Sequence, residues 1–141
     1  MALSAMAALS LAGAESKIKL QSAPAAVQAT VKAETANATL VGLSKEIEHG
    51  KTMYELETKV NGRGRDLMIA EDGSVASVEE EVALDSVPGA VKEALLHKSA
   101  GGKITKVEAV TENGSTGYEA AMVVHGKKIE YSVDSQGKPK H

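Results

Sequence analysis

The sequence has no cysteine, no tryptophan and no phenylalanine, and only three tyrosines in 141 residues. Without cysteine there is no disulfide, no thiolate nucleophile, no thiolate metal site and no lipid-modified cysteine anchor. With aromatics at 2%, the stacking platforms that grip bases and sugars are missing. Charge of one sign is also missing. Sixteen Lys and Arg stand against nineteen Asp and Glu, a formal charge of -3, so the basic footprint of a nucleic-acid binder is absent. No apolar run approaches the ~20 residues of a membrane-spanning helix, and no membrane anchor is expected. No serine sits in a G-x-S-x-G elbow, no G-x-G-x-x-G loop cradles a phosphate, and no D-x-D-x-D-G series offers a calcium loop. His49, His97, His125 and His141 are isolated, without the close spacing of metal ligands. Neither an enzyme, a metal centre nor a cofactor is therefore expected.

What is present is a globular composition, 43% hydrophobic and 25% charged, long enough for one medium domain or two very small ones. Met1 to Ala14 carries no charge and ends in Ala12-Gly13-Ala14 before Glu15. This small-x-small ending reads as a signal peptide over residues 1–14, and predicts an exported protein, periplasmic or secreted.

The remainder matches itself at a shift of 64 residues, with 13 identities in 56 pairs from Ser22/Ser86 onward. Pro24 falls on Pro88, Tyr54-Glu55 on Tyr118-Glu119, Gly62 on Gly126 and Gly73 on Gly137. Internal duplication is the expectation, with units over 22–85 and 86–141. In each, a proline opens a helix that Ser22 or Ser86, or a neighbour, caps. Three strands follow. Tyr54, Leu56, Thr58 and Val60 alternate with Glu55, Glu57 and Lys59, and Asn61-Gly62 turns the chain back. The predicted fold class is α+β: two tandem helix-plus-three-stranded antiparallel meander repeats packed into one body. Residues 74–85 read either as an edge strand or as an acidic linker.

The strings VPGAVKEALLHKS and GYEAAMVVHGKKIEYSVDSQGKPK carry Tyr118-Glu119, Gly126, Ile129-Glu130-Tyr131 and Asp134 to Lys138. In this pattern the chain resembles the PepSY-like family of small exported bacterial domains. The first unit departs from it at Ala70-Glu71-Asp72-Gly73-Ser74. The family is similar in design to the tandem-repeat beta-lactamase inhibitor protein, whose concave sheet binds an enzyme, and related domains occur in propeptides of secreted peptidases. The resemblance implies an exported, non-enzymatic binding module that binds or inhibits an extracytoplasmic protein or peptide, such as a peptidase.

The residues add one asymmetry. On the outward sheet face, Glu57 and Lys59 of the first unit are replaced by Ala121 and Val123 in the second. An apolar patch on a face expected to be wet predicts cover by a partner, by the other unit or by residues 74–85. The candidate partner-binding residues are Ala121, Val123, His125, Glu119, Glu55 and Glu57. In the alternative reading, a periplasmic cation or small-ligand sensor, Glu55, Glu57, Asp72 and Glu119 collect a metal or a basic ligand.

Overall fold

The computed structural model describes residues 15–141, and the leader-like Met1–Ala14 lies outside the described residues. Strands dominate it. β1 (Ser16–Lys17) precedes helix α1 (Ala25–Glu34), and β2 (Thr39–Glu48), β3 (Lys51–Val60), β4 (Arg63–Ala70) and β5 (Val75–Glu81) follow. Helix α2 (Gly89–Ser99) then leads into β6 (Lys103–Glu112), β7 (Ser115–Val124) and β8 (Lys127–Asp134). The strands form an eight-stranded sheet in chain order.

This corrects the expected fold class. The architecture is a sheet with two helices, not a pair of helix-plus-three-strand repeats. The physical reason lies at the strand edges. A three-stranded meander would leave backbone donors and acceptors of its first strand unpaired. Here Ser16–Lys17 pairs with β2, and Ile18 N donates to Leu43 O at 3.0 Å. Residues 75–81 form a strand, and Val82 N donates to the β6 carbonyl of Val107 at 2.9 Å. The caps also differ from expectation. Pro24 and Pro88 themselves occupy the N-cap positions, and no side chain bonds there. Ser86 Oγ instead donates to Ala83 O in the preceding turn.

The chain divides into two compact units, one ending at Glu79 and one running from Glu80 to His141. In the first, Val27 and Val31 of α1 pack on Leu43, Tyr54, Leu56, Leu67 and Ile69. In the second, Val91 and Leu95 of α2 pack on Val107, Ala120, Met122 and Val133. Each core is thus one helix stripe against one strand face.

Turn chemistry sets the registers. His49-Gly50, Asn61-Gly62, Asn113-Gly114 and His125-Gly126 all have positive φ at both residues, the pattern of the hairpin turn that matches strand twist. Gly137 has a different duty. A Cβ there would lie 2.5 Å from Ala90 O, so only glycine lets the turn after β8 rest against α2.

Candidate functional site

Cross-strand partners share a face, so the ladders define what lies opposite each helix. In the first unit Ser44 faces Glu55, which faces Met68. Gly42 faces Glu57, which faces Asp66, and Glu46 faces Met53. Tyr54, Leu56 and Thr58 point the other way, into the core. The outward face of β2, β3 and β4 is therefore strongly acidic.

Its centre is Glu55. Burial first, and then the neighbouring charges of Glu46, Asp66, Glu57 and Glu15, push its carboxyl up to about 7. Every charge acting on Glu55 is acidic. Glu46 is raised as well, first by burial, then by Glu48 and Glu15. Beside Glu55, Ser44 is 1% exposed, and its Oγ has no hydrogen-bond partner. A buried hydroxyl without a partner is uncommon, and costs about 1–3 kcal/mol.

In the second unit Glu119, Ala121 and Val123 share the outward face of β7. Glu119 lies between Glu108 and Ser132, Ala121 between Lys106 and Glu130, and Val123 between Lys103 and Lys128. Glu119 is buried at 5% exposure, whereas Ala121 and Val123 are half-buried. Lys106 Nζ sits 3.0 Å from Glu108 Oε1. The expected apolar patch is thus a narrow pair of side chains bracketed by four charged residues. Residues 75–81 run as a strand. A cavity of about 210 Å³ opens beside Glu119, between Gly117, Ser132 and Lys140, smaller than the roughly 300–1,000 Å³ of ordinary small-molecule pockets.

Of the sequence-derived candidates, Glu55 and Glu57 come together on one strand face, as do Glu119, Ala121 and Val123. His125 is exposed at a hairpin turn with φ 49° and serves the turn. Asp72 is engaged locally. Its Oδ1 accepts from Ser74 Oγ at 2.6 Å and Ser74 N at 2.9 Å, which holds its carboxyl below the usual range. It is not among the charges that act on Glu55. Among the described residues, no three acidic or histidine side chains are placed to hold a metal ion. Ser44, Glu46, Asp66 and Glu15 went unrecognised in the sequence. A period-two reading of Gly42-Ser44-Glu46-Glu48 would have found the two on β2, but the register shift between Leu40 and Gly42 breaks that alternation at its start.

No family model matches this chain, and no curated protein does. Solved structures do. The chain shares its fold with proteins of Bacteroides. A protein from Bacteroides eggerthii, provisionally assigned to the periplasm, superposes with a TM-score of 0.68 at 20% identity, over 84% of this chain and 86% of its own. A DUF2874-family protein from Bacteroides ovatus gives 0.66 at 18% identity, covering 84% and 85%. A BLIP-like protein from Bacteroides fragilis gives 0.63 at 20% identity, covering 84% of each chain. Among the described residues no helix is long and apolar enough to cross a membrane.

Proposed function

We propose that this chain is a periplasmic, non-enzymatic binding module that presents a strand face to a protein or peptide partner. The observation that carries this reading is the strand face opposite each helix. Its side chains, among them Glu55, Glu57, Ala121 and Val123, belong to neither helix–sheet core. A sheet face built this way offers a broad rigid surface rather than a pocket, which suits a macromolecule better than a metabolite. The fold shared with a protein provisionally assigned to the periplasm supports the location, as does the leader-like Met1–Ala14. The fold shared with a BLIP-like protein supports use of the sheet face, and with it inhibition as one outcome of binding. PepSY-like membership is the finer form of the same reading and rests on the Tyr118 to Lys138 pattern.

Photocrosslinkers placed at Glu57 and Val123 in cells should each yield a protein adduct that a crosslinker at Ala29, exposed on α1, does not. Adding Ala121→Glu to the chain that carries the crosslinker at position 123 should abolish that adduct. Equal labelling from all three positions, or none, defeats the reading.

A further inference from the structure

We propose that the outward face of β2, β3 and β4 is a receptor for one organic cation, the ammonium or guanidinium of a Lys or Arg side chain, seated between Ser44, Glu55 and Glu57. The proposal deepens the binding-module reading and rests on it. It names the chemistry of the partner at that face.

Three independent observations converge. The first is charge. Glu55 lies among Glu57 on its own strand, Glu46 on β2, Asp66 on β4 and Glu15 beside β1, and every charge acting on it is acidic. Lys17 on β1 is in register with Ser44 but is not among those charges. The second is the hydroxyl of Ser44, buried, unpartnered and directly across the ladder from Glu55. A hydroxyl oxygen has lone pairs free to accept from an ammonium or guanidinium donor whose charge the carboxylate balances, so an incoming cation satisfies both groups.

The third observation is the second unit, which places a lysine on the equivalent face. The ladder positions 64 residues on are Glu108 for Ser44, Glu119 for Glu55 and Lys106 for Gly42. There Glu108, the ladder partner of Glu119, has an ammonium from the same face, with Lys106 Nζ 3.0 Å from Glu108 Oε1. In the first unit the lysine position is Gly42. The Glu57 carboxylate leans over it, 3.5 Å from where a Cβ would stand. One unit supplies its cation from within. The other keeps the central carboxylate, Glu55 for Glu119, has Ser44 where Glu108 stands, and has no lysine at Gly42. A metal ion is the less suitable occupant, because no three acidic or histidine side chains among the described residues are placed to hold one.

The test uses the whole chain and a blocked Gly-Ser-Lys-Ser-Gly peptide, followed by NMR titration at pH 8. The peptide should shift the amides of β2, β3 and β4 around Ser44 and Glu55, and its acetyl-lysine counterpart should not. Glu55→Gln should weaken binding by about tenfold, as expected for loss of a charge-assisted hydrogen bond. Gly42→Lys should abolish binding, because it installs the internal ammonium found at Lys106. A Cβ at Gly42 would stand at ordinary contact distance from the Glu57 carboxylate, and the circular dichroism spectrum reports that the variant is folded. Lowering the pH from 8 to 6 should weaken binding several-fold as Glu55 takes up a proton. Undiminished binding by folded Gly42→Lys, shifts confined to other strands, or no binding by the natural chain would each overturn the proposal. A persisting adduct from Val123 alongside such a result would remove the cation receptor and leave the binding module standing.

Discussion

The two units share their strand registers at a 64-residue offset yet fill their interiors differently. Leu43 faces Leu56 as Val107 faces Ala120. The first unit places Val31 of α1 with Leu56 of β3, and the second places Leu95 of α2 with Ala120 of β7; all four are fully buried. The larger side chain has moved from strand to helix, but Leu95 and Ala120 together carry two carbon atoms fewer than Val31 and Leu56, and the volume is made up only when a third position is included. Nearby, Thr58 is buried and its hydroxyl donates to Arg65 O, where the second unit has Met122. Backbone geometry is held by the turns, while packing is free to redistribute volume as long as density is kept.

Breaking that compensation should give the largest effect. Leu56→Ala removes most of a buried side chain and should cost about 2–5 kcal/mol of stability in urea unfolding. Ala120→Leu overfills the other core and should cost about 1–3 kcal/mol. Adding Leu95→Val to Ala120→Leu takes back one of the three added carbon atoms and should recover part of that loss. If the two substitutions simply add, the exchange of volume between helix and strand is not a real coupling.

The same contrast shows what was legible in the sequence. The hairpins were, because Asn61-Gly62 and His125-Gly126 admit few other conformations. The inward set of β3 was too, since Tyr54, Leu56 and Thr58 alternate cleanly with charged residues. The arrangement of strands was not. Val75, Val78 and Val82 are apolar but are interrupted by Glu79-Glu80-Glu81, and nothing local decides whether such a stretch finds a ladder. Ser16–Lys17 is too short to carry any period. The candidate site was half visible. Glu55 and Glu57 follow from alternation on one strand, but the acids that crowd them come from β2, β4 and Glu15 just before β1, and meet only through pairing. Ser44 gave no signal at all, because a serine in a strand is ordinary until its burial is known.

The outward faces contrast in a second way, which pH resolves. In the folded chain the Glu55 carboxyl stays neutral up to about pH 7, while the unfolded chain ionises near its ordinary value of 4.5. The folded state therefore holds a proton that the unfolded state gives up between these values. The stability this contributes is fully present below pH 4.5 and is lost as pH rises through about 7. The carboxyl is partly exposed and solvent screens much of the shift, so the loss should be about 1 kcal/mol. Thermal melts of the natural chain should fall across pH 5 to 7.5, and those of Glu55→Gln should fall less. Asp134 in the second unit has the opposite sign. Backbone N–H groups of Lys138 and Gln136 hold its carboxyl low, so its contribution is present above its ordinary value and is lost only as pH falls below it. Parallel slopes for the natural chain and Glu55→Gln between pH 5 and 7.5 would show that Glu55 is not the group responsible.

The smallest difference lies at the helix ends. α1 stops at Thr35 with φ -98°, within the range any residue adopts, whereas α2 stops at Ala100 with φ 47° and ψ 41°. Alanine in the left-handed region crowds its Cβ against the carbonyl, at about 1–2 kcal/mol. Glycine avoids that cost but brings more entropy to the unfolded chain. Ala100→Gly should therefore stabilise the protein by about 0.5–1 kcal/mol, seen as a small rise in the midpoint of urea unfolding. Thr35→Gly offers no such relief, and should be neutral or slightly destabilising, because that position gains only flexibility and loses the bond from Thr35 Oγ1 to Val31 O at 2.7 Å. A matched response at the two positions would mean that the left-handed turn at Ala100 carries no strain, and that the two helices end alike in energy despite ending differently in shape.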